Sequence, residues 1–114
     1  MEHFPGFMKN SANAIASGSQ SKGIEGYVFD GADGSQMAFW EYPQAGVSLE
    51  HTHDYDEYML VVEGLYTLMI GGKRISVEAG KEYLIPKGTP HAGEWPSGIR
   101  TIHAFGGPRA KRKE

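Results

Sequence analysis

Three histidines and one glutamate in this 114-residue chain are spaced as the ligands of a metal ion would be. His51 and His53 flank a single residue, Glu57 follows shortly afterwards, and His91 lies far along the chain. Residues two apart in a strand point to the same face, so the two neighbouring imidazoles would project together. Three imidazoles and a carboxylate suit a divalent first-row ion and leave coordination positions open for water or substrate. We therefore predict a metal site at these four residues.

The predicted ligands do not determine which ion is bound. Iron, manganese, nickel, zinc and cobalt all accept nitrogen and oxygen ligands of this kind. Such an ion can polarise a carbonyl or enol oxygen, lower the pKa of bound water or, as iron, bind dioxygen. The chemistry predicted at the site is therefore metal-assisted, with its reaction type open.

Short strands separated by glycine, proline and aspartate turns would position these ligands. Gly71 and Gly72, between two apolar segments, predict a tight hairpin, and Glu63 with Gly64 predicts another. Alternation places Val47 and Leu49 on the same face as His51 in the third strand. We expect an all-β chain with strands at residues 24–29, 36–42, 47–53, 57–62, 65–70, 74–77, 82–85, 91–95 and 99–105.

At these residues the chain resembles the cupin superfamily, whose two sequence motifs both have counterparts here. The first motif is matched by Gly46, His51, His53, Glu57 and Gly64, and the second by Gly80, Pro86, Gly88 and His91. Two positions depart from the family pattern. Gly46 precedes the first histidine by five positions rather than the usual six, and Trp95 stands where an asparagine often ends the second motif.

This resemblance implies a double-stranded β-helix, or jelly-roll, barrel made of two antiparallel sheets. It implies one divalent transition metal ion held by His51, His53, Glu57 and His91, and very often a homodimer. Cupins with such ligands include dioxygenases, isomerases, lyases and decarboxylases, as well as domains without demonstrated catalysis.

Strand alternation also predicts the walls of a ligand pocket. The strand at 91–95 would turn Trp95 inward, and the strand at 99–105 would turn Thr101, His103 and Phe105 inward. Met59 would share the inner face of its strand with Glu57. His103 is the candidate catalytic residue, either as an acid or base or as a group that supports the metal ligands, and a hydrogen-bonded barrel histidine is the alternative.

Apolar residues on both faces of one strand predict that a sheet is covered from outside. If Glu57 points inward, then Tyr58, Leu60 and Val62 point outward, and a solvated face would not carry three such residues in succession. The cover would be a second subunit or the N-terminal segment.

Length and composition predict one domain with three parts. Residues 1–23 would form an arm, flexible or packed on the barrel or a dimer partner, residues 24–106 the barrel, and residues 107–114 a basic tail. We expect that tail to be solvated and frayed, because chain ends usually are. No cysteine is present, which rules out thiolate ligands and fits a reducing compartment.

The same features bear on partners and location. A formal net charge of −3 gives no reason to expect nucleic acid, and no apolar run is long enough to span a bilayer. The sequence therefore predicts a cytoplasmic protein that binds a small molecule. The first function we consider is a metal-dependent enzyme acting on a keto acid, enol acid or sugar derivative, and the alternative is a non-catalytic binding or sensing module.

Overall fold

A computed structural model describes residues 2–16 and 23–113, which form two antiparallel β-sheets facing each other. The larger sheet has the strand order β1-β2-β9-β4-β7. Its strands are β1 (Glu25–Asp30), β2 (Gln36–Tyr42), β4 (Glu57–Glu63), β7 (Glu82–Ile85) and β9 (Ile99–Phe105). In that described part, none of the helical turns has the length and hydropathy that crossing a bilayer requires.

The smaller sheet has the order β3-β8-β5-β6 and closes the other side of the barrel. Its strands are β3 (Gly46–Val47), β5 (Leu65–Ile70), β6 (Lys73–Glu78) and β8 (Ala92–Trp95). From β2 to β9 the chain passes from one sheet to the other between successive strands, except at the β5–β6 hairpin, as in a double-stranded β-helix. The predicted all-β jelly-roll fold is therefore confirmed.

Alternating side chains fill the space between the sheets with large apolar groups, because strand residues point to opposite faces in turn. Met59, Val61, Val28 and Ile99 are fully or almost fully buried there. The predicted hairpin at Gly71 and Gly72 is present, with both residues at positive φ (59° and 79°), a conformation that glycine adopts without steric cost. The apolar layer fixes the sheets and so positions the residues at the barrel's open end.

The third predicted strand is the main local error. β3 ends at Val47, and the chain continues irregularly to Glu57, with one isolated bridge between His51 and His91. Side chains therefore do not keep a period of two, and Val47 and Leu49 are exposed (65% and 66%) instead of facing inward with the histidines.

The hairpin predicted at Glu63 and Gly64 is also wrong. β4 pairs with β7 and β9, whereas β5 pairs with β6 and β8, so the chain turns a corner between the two sheets. Gly64 has a φ of 87°, and a Cβ atom there would overlap the Ile99 side chain. The close approach to β9, the neighbour of β4 in the larger sheet, therefore requires glycine at this corner.

The N-terminal arm, in so far as it is described, packs on the outside of the larger sheet. It contains two 3-10 turns, Gly6–Lys9 and Ser11–Asn13. Phe4 is buried, its ring lies 5.9 Å from Phe39, and Arg100 lies 4.9 Å above it. Residues 1 and 17–22 of the predicted arm lie outside the described residues, as does residue 114 of the predicted tail.

The C-terminal tail differs from the frayed segment that we expected. Its backbone pairs with the arm, since Ala16 N–H donates to the Lys111 carbonyl (2.7 Å) and Lys113 N–H to the Ala14 carbonyl (2.9 Å). Arg112 donates to the Asp30 carboxylate and the Val28 carbonyl. The tail is ordered because it completes backbone hydrogen bonds that the arm would otherwise leave open.

Candidate metal centre

The candidate centre lies where the irregular segment after β3 meets the starts of β8 and β4. His51 and His91 exchange two backbone hydrogen bonds of 2.9 Å and 3.0 Å, which place their ring centroids 4.3 Å apart. The His53 carbonyl accepts the Gly88 N–H (2.9 Å), which ties the second ligand segment to the loop before His91. These contacts bring the nitrogen ligand atoms of all three histidines within 4.8 Å of one another.

Hydrogen bonds to backbone carbonyls orient two of these imidazoles. His51 Nδ1 lies 2.7 Å from the Leu49 carbonyl, and His91 Nδ1 lies 2.9 Å from the Thr89 carbonyl. A carbonyl only accepts, so Nδ1 carries the proton in both rings and Nε2 keeps its lone pair. This is the arrangement that a metal-ligating imidazole needs.

Glu57, the first residue of β4, brings a carboxylate to the same point. Its Oε1 atom lies 3.4 Å from His53 Nε2 and 3.5 Å from His91 Nε2. Both nitrogen atoms are buried without a hydrogen-bond partner among the described residues. Buried polar atoms are nearly always satisfied, so two orphaned lone pairs beside one carboxylate fit a bound cation.

A line of hydrogen bonds supports the glutamate from behind. Glu57 Oε2 lies 2.9 Å from His103 Nδ1, His103 Nε2 lies 2.9 Å from Thr101 Oγ1, and Thr101 Oγ1 lies 2.8 Å from the Tyr42 hydroxyl. The carboxylate accepts, so His103 Nδ1 donates and, in the neutral ring, its Nε2 accepts from threonine. Both nitrogens of His103 are thus engaged, and the ring holds one carboxylate oxygen while the other faces the histidines.

The charge states of these groups follow from burial and contact. Burial acts to raise the pKa of Glu57, but the hydrogen bond from His103 and the imidazoles of His53 and His91 hold that pKa well below its ordinary value. Burial lowers the pKa of His51. Burial also acts to lower the pKa of His91, but the Glu57 carboxylate and the hydrogen bond to the Thr89 carbonyl together raise it. Glu57 is therefore an anion at neutral pH, as a metal ligand must be.

A cavity of about 50 Å³ is lined by three of the four predicted ligands, His51, Glu57 and His91. Of the predicted wall residues, Trp95, Phe105 and Met59 line it, as does His103. Thr101 does not line it, and its hydroxyl is hydrogen-bonded to His103 Nε2 instead. Two stacked pairs of rings contribute to its wall: Tyr66 stacks on Trp95 (5.9 Å, 19°) and His103 on Phe105 (5.8 Å, 13°).

Sequence reasoning missed three groups that also line the cavity: Tyr42, Ser48 and Arg109. The Ser48 hydroxyl accepts the Gly93 N–H (2.8 Å), which the irregular path after β3 makes possible. Tyr42 ends a strand whose sequence, Gln36–Tyr42, carries apolar residues on both faces, so its inward face is not evident, and Arg109 lies in the segment expected to fray. Only the pairing of distant segments brings them together, so no local pattern could have identified them.

Residues 38–103 match the model of the cupin domain family, Cupin_2. The match covers more than half of the chain and includes all four predicted ligands. The chain therefore belongs to the cupin family. No functionally curated protein matches the sequence.

Solved structures from several bacteria share this fold. The polyketide cyclase RemF from Streptomyces resistomycificus is 22% identical with a TM-score of 0.70, over 85% of this chain and 74% of that one. An RmlC-like cupin from Shewanella frigidimarina is 18% identical (TM-score 0.69, 89% and 85% covered), and KdgF from a Halomonas species is 18% identical (TM-score 0.66, 81% and 82% covered). At these identities the likeness is one of fold.

Proposed function

We propose that this cupin is a metal-dependent enzyme acting on a small oxygen-rich metabolite, such as a keto acid, an enol acid or a sugar derivative. The observation that carries the proposal is the pair of buried, unpartnered Nε2 atoms of His53 and His91 beside the Glu57 carboxylate. An iron, manganese, nickel, zinc or cobalt ion held by these groups and His51 would supply Lewis-acid polarisation or, as iron, dioxygen chemistry.

The residues around the ion would bind and shield a substrate. Burial raises the pKa of the Tyr66 hydroxyl, which therefore stays protonated and can donate a hydrogen bond to a substrate oxygen. That hydroxyl makes no hydrogen bond within the described part of the chain. Trp95 and Phe105 would exclude water from the substrate's apolar side. Isomerase, lyase and dioxygenase reactions are all compatible with this arrangement.

The likeness to the polyketide cyclase RemF, at 22% identity, is one of fold, so it leaves the reaction of this chain to experiment.

The second candidate function is non-catalytic binding or sensing of a small ligand. His103 favours it, because both of its ring nitrogens are already hydrogen-bonded inside the barrel. A histidine held in this way is suited to positioning Glu57 rather than to transferring a substrate proton. If turnover is absent while a ligand binds at the ion, this second function replaces the first.

Metal analysis of tag-free protein, purified without chelators, tests the proposed site. We expect close to one ion per chain and an occupancy that falls strongly in His51→Ala, His53→Ala, His91→Ala and Glu57→Gln. Each variant should also lose the thermal stabilisation that metal confers on the wild type. His3→Ala is the matched control, since His3 lies in the arm with its side chain 71% exposed. Unchanged occupancy in all three histidine variants would exclude this site.

We also propose that the protein acts in the cytoplasm as a homodimer. The absence of cysteine fits a reducing compartment. On the outer face of the larger sheet, directly paired residues form an apolar row in which Phe29, Met37 and Leu84 are exposed among the described residues, and this row would suit a second subunit.

A further inference from the structure

We infer that Arg109 forms an anion subsite at the cavity, so that the substrate is a small acid. Its carboxylate would bind the Arg109 guanidinium while a hydroxyl or keto oxygen of the same molecule reaches the candidate metal centre. This inference rests on the proposed function, because the ion provides the second attachment point.

Arg109 is placed to face a ligand. It is half-buried, lines the cavity and lies with its Cζ atom 5.9 Å from the centre of the Phe105 ring. Phe105 in turn lies 6.2 Å from His53 and 5.8 Å from His103, measured between ring centres. The guanidinium therefore lies against the aromatic ring that also contacts His53, and it lines the same cavity as His51 and His91.

The backbone beneath this arginine is held firmly. Gln36 is buried, and its Oε1 atom accepts the backbone N–H groups of Arg109 and Ala110, both at 2.8 Å. Its Nε2 atom donates to the Ala110 carbonyl (3.1 Å) and to Asp30 (3.0 Å). A side chain presented from such a segment is positioned in advance, which reduces the entropy lost on binding.

The charge of Arg109 is not neutralised by the protein. Among residues 2–16 and 23–113, no carboxylate forms an ion pair with it, whereas Arg74, Arg100 and Arg112 each pair with an acid. Glu57 is the only carboxylate among the residues lining the cavity, and a divalent ion would offset it.

These observations define the class of ligand. A guanidinium presents a planar fork of donors that matches a carboxylate, and an uncompensated positive site favours an anion over a neutral sugar. The cavity of about 50 Å³ suits an acid of a few carbon atoms. Hydroxy acids and keto acids of that size carry both required groups.

NMR titrations of the zinc-loaded and metal-free protein with lactate and lactamide test the inference. The two probes differ in having a carboxylate or a neutral amide. We expect lactate to bind the wild type and its affinity to fall at least tenfold in Arg109→Gln, with a smaller loss in Arg109→Lys, because lysine keeps the charge but not the fork. Lactamide should bind all proteins weakly and alike. Pyruvate, malate and inorganic phosphate extend the series and separate a carboxylate site from a phosphate site.

Lys111→Gln is the matched control, since it removes one positive charge from an exposed position in the same tail. A lactate affinity that is unchanged in Arg109→Gln, or that falls equally in Lys111→Gln, would overturn the inference, as would a wild type that binds none of the acids. Arginine-dependent binding that is the same with and without zinc would support the subsite and count against the proposed metal chemistry. Thermal unfolding of each variant verifies that the fold is retained.

Discussion

His103, the candidate catalytic residue, has both ring nitrogens in hydrogen bonds within the barrel. Its position on the inner face of β9 follows from strand alternation, but its role depends on partners from two other strands. Glu57 in β4 takes one ring nitrogen, while Thr101 lies between the other nitrogen and Tyr42 in β2. We interpret the set as a support that keeps the carboxylate aimed at the histidines.

This interpretation predicts the effect of Thr101→Val, which keeps shape but removes the hydroxyl. His103 Nε2 and the Tyr42 hydroxyl would both lose a buried partner, at a cost of about 1–3 kcal/mol in the free energy of unfolding. Metal affinity should also fall, by about 10- to 100-fold, because the glutamate would be less firmly oriented. Denaturant unfolding and metal competition measure the two effects.

Thr67→Val is the matched control for this change. Thr67 is also a buried strand threonine, and its hydroxyl makes no hydrogen bond within the part of the chain that the structure describes. Its substitution should leave metal affinity unchanged. Equal loss of metal affinity in the two variants would show that the hydrogen-bonded line does not orient Glu57.

Among the elements, the arm is the one whose docking depends on a single buried charge. Glu41 in β2 is 7% exposed and accepts the Phe4 N–H (3.0 Å) and a bond from His3 Nδ1 (2.9 Å), with Lys9 Nζ 3.2 Å away. Burial acts to raise the pKa of Glu41, but these contacts together lower it by a larger amount. The pKa therefore lies below its ordinary value of 4.5. The folded state therefore favours the carboxylate over the acid.

Because the pKa of Glu41 is lowered in the folded state, the contribution of the docked arm to stability should depend on pH. The lowered pKa contributes stability that is present above pH 4.5 and is lost as the pH falls through the folded-state value. Glu41→Gln should destabilise the protein by about 1 kcal/mol near neutral pH. The difference from wild type should shrink below pH 4.5. Urea unfolding at pH 7 and pH 3.5 measures this difference in stability, and hydrogen exchange of the Phe4 amide reports whether the arm stays docked.

Glu82→Gln serves as the control for Glu41→Gln. Glu82 is an exposed glutamate on β7 that forms no ion pair with any described residue. Its replacement should change stability little at either pH. A Glu41→Gln difference that persists at pH 3.5 would mean that the carboxylate charge does not hold the arm.

Elements also show which parts of the structure can be predicted from sequence. β2, β5, β7 and β9 have the predicted bounds, because alternating apolar residues and turn glycines are local signals. The prediction for the segment after β3 was wrong, since the path of this segment is set by the bridge between His51 and His91, two residues that are forty positions apart in the sequence. The same limit applies to Arg109, whose place at the cavity depends on Gln36 and on pairing with the arm.

At the scale of the whole molecule, one surface feature has no cover within the described chain. Directly paired residues on the outer face of the larger sheet form an apolar row across all five strands. Phe29 (38% exposed), Met37 (43%) and Leu84 (57%) stand in it with Ala104 and Tyr58. The arm covers only the neighbouring Phe39 side, so the predicted outer cover is present in part.

An exposed row of this kind is typical of a surface that pairs with a second copy. We therefore expect the wild type to sediment as a dimer and Leu84→Lys to shift it towards monomer, because a buried ammonium without a partner would be costly at the interface. Leu49→Lys is the matched control, since Leu49 is a similarly exposed leucine outside this row. Sedimentation velocity over a range of concentrations distinguishes the states. A monomeric wild type would refute the dimer, and a Leu84→Lys variant that remains dimeric would place the interface elsewhere on the barrel.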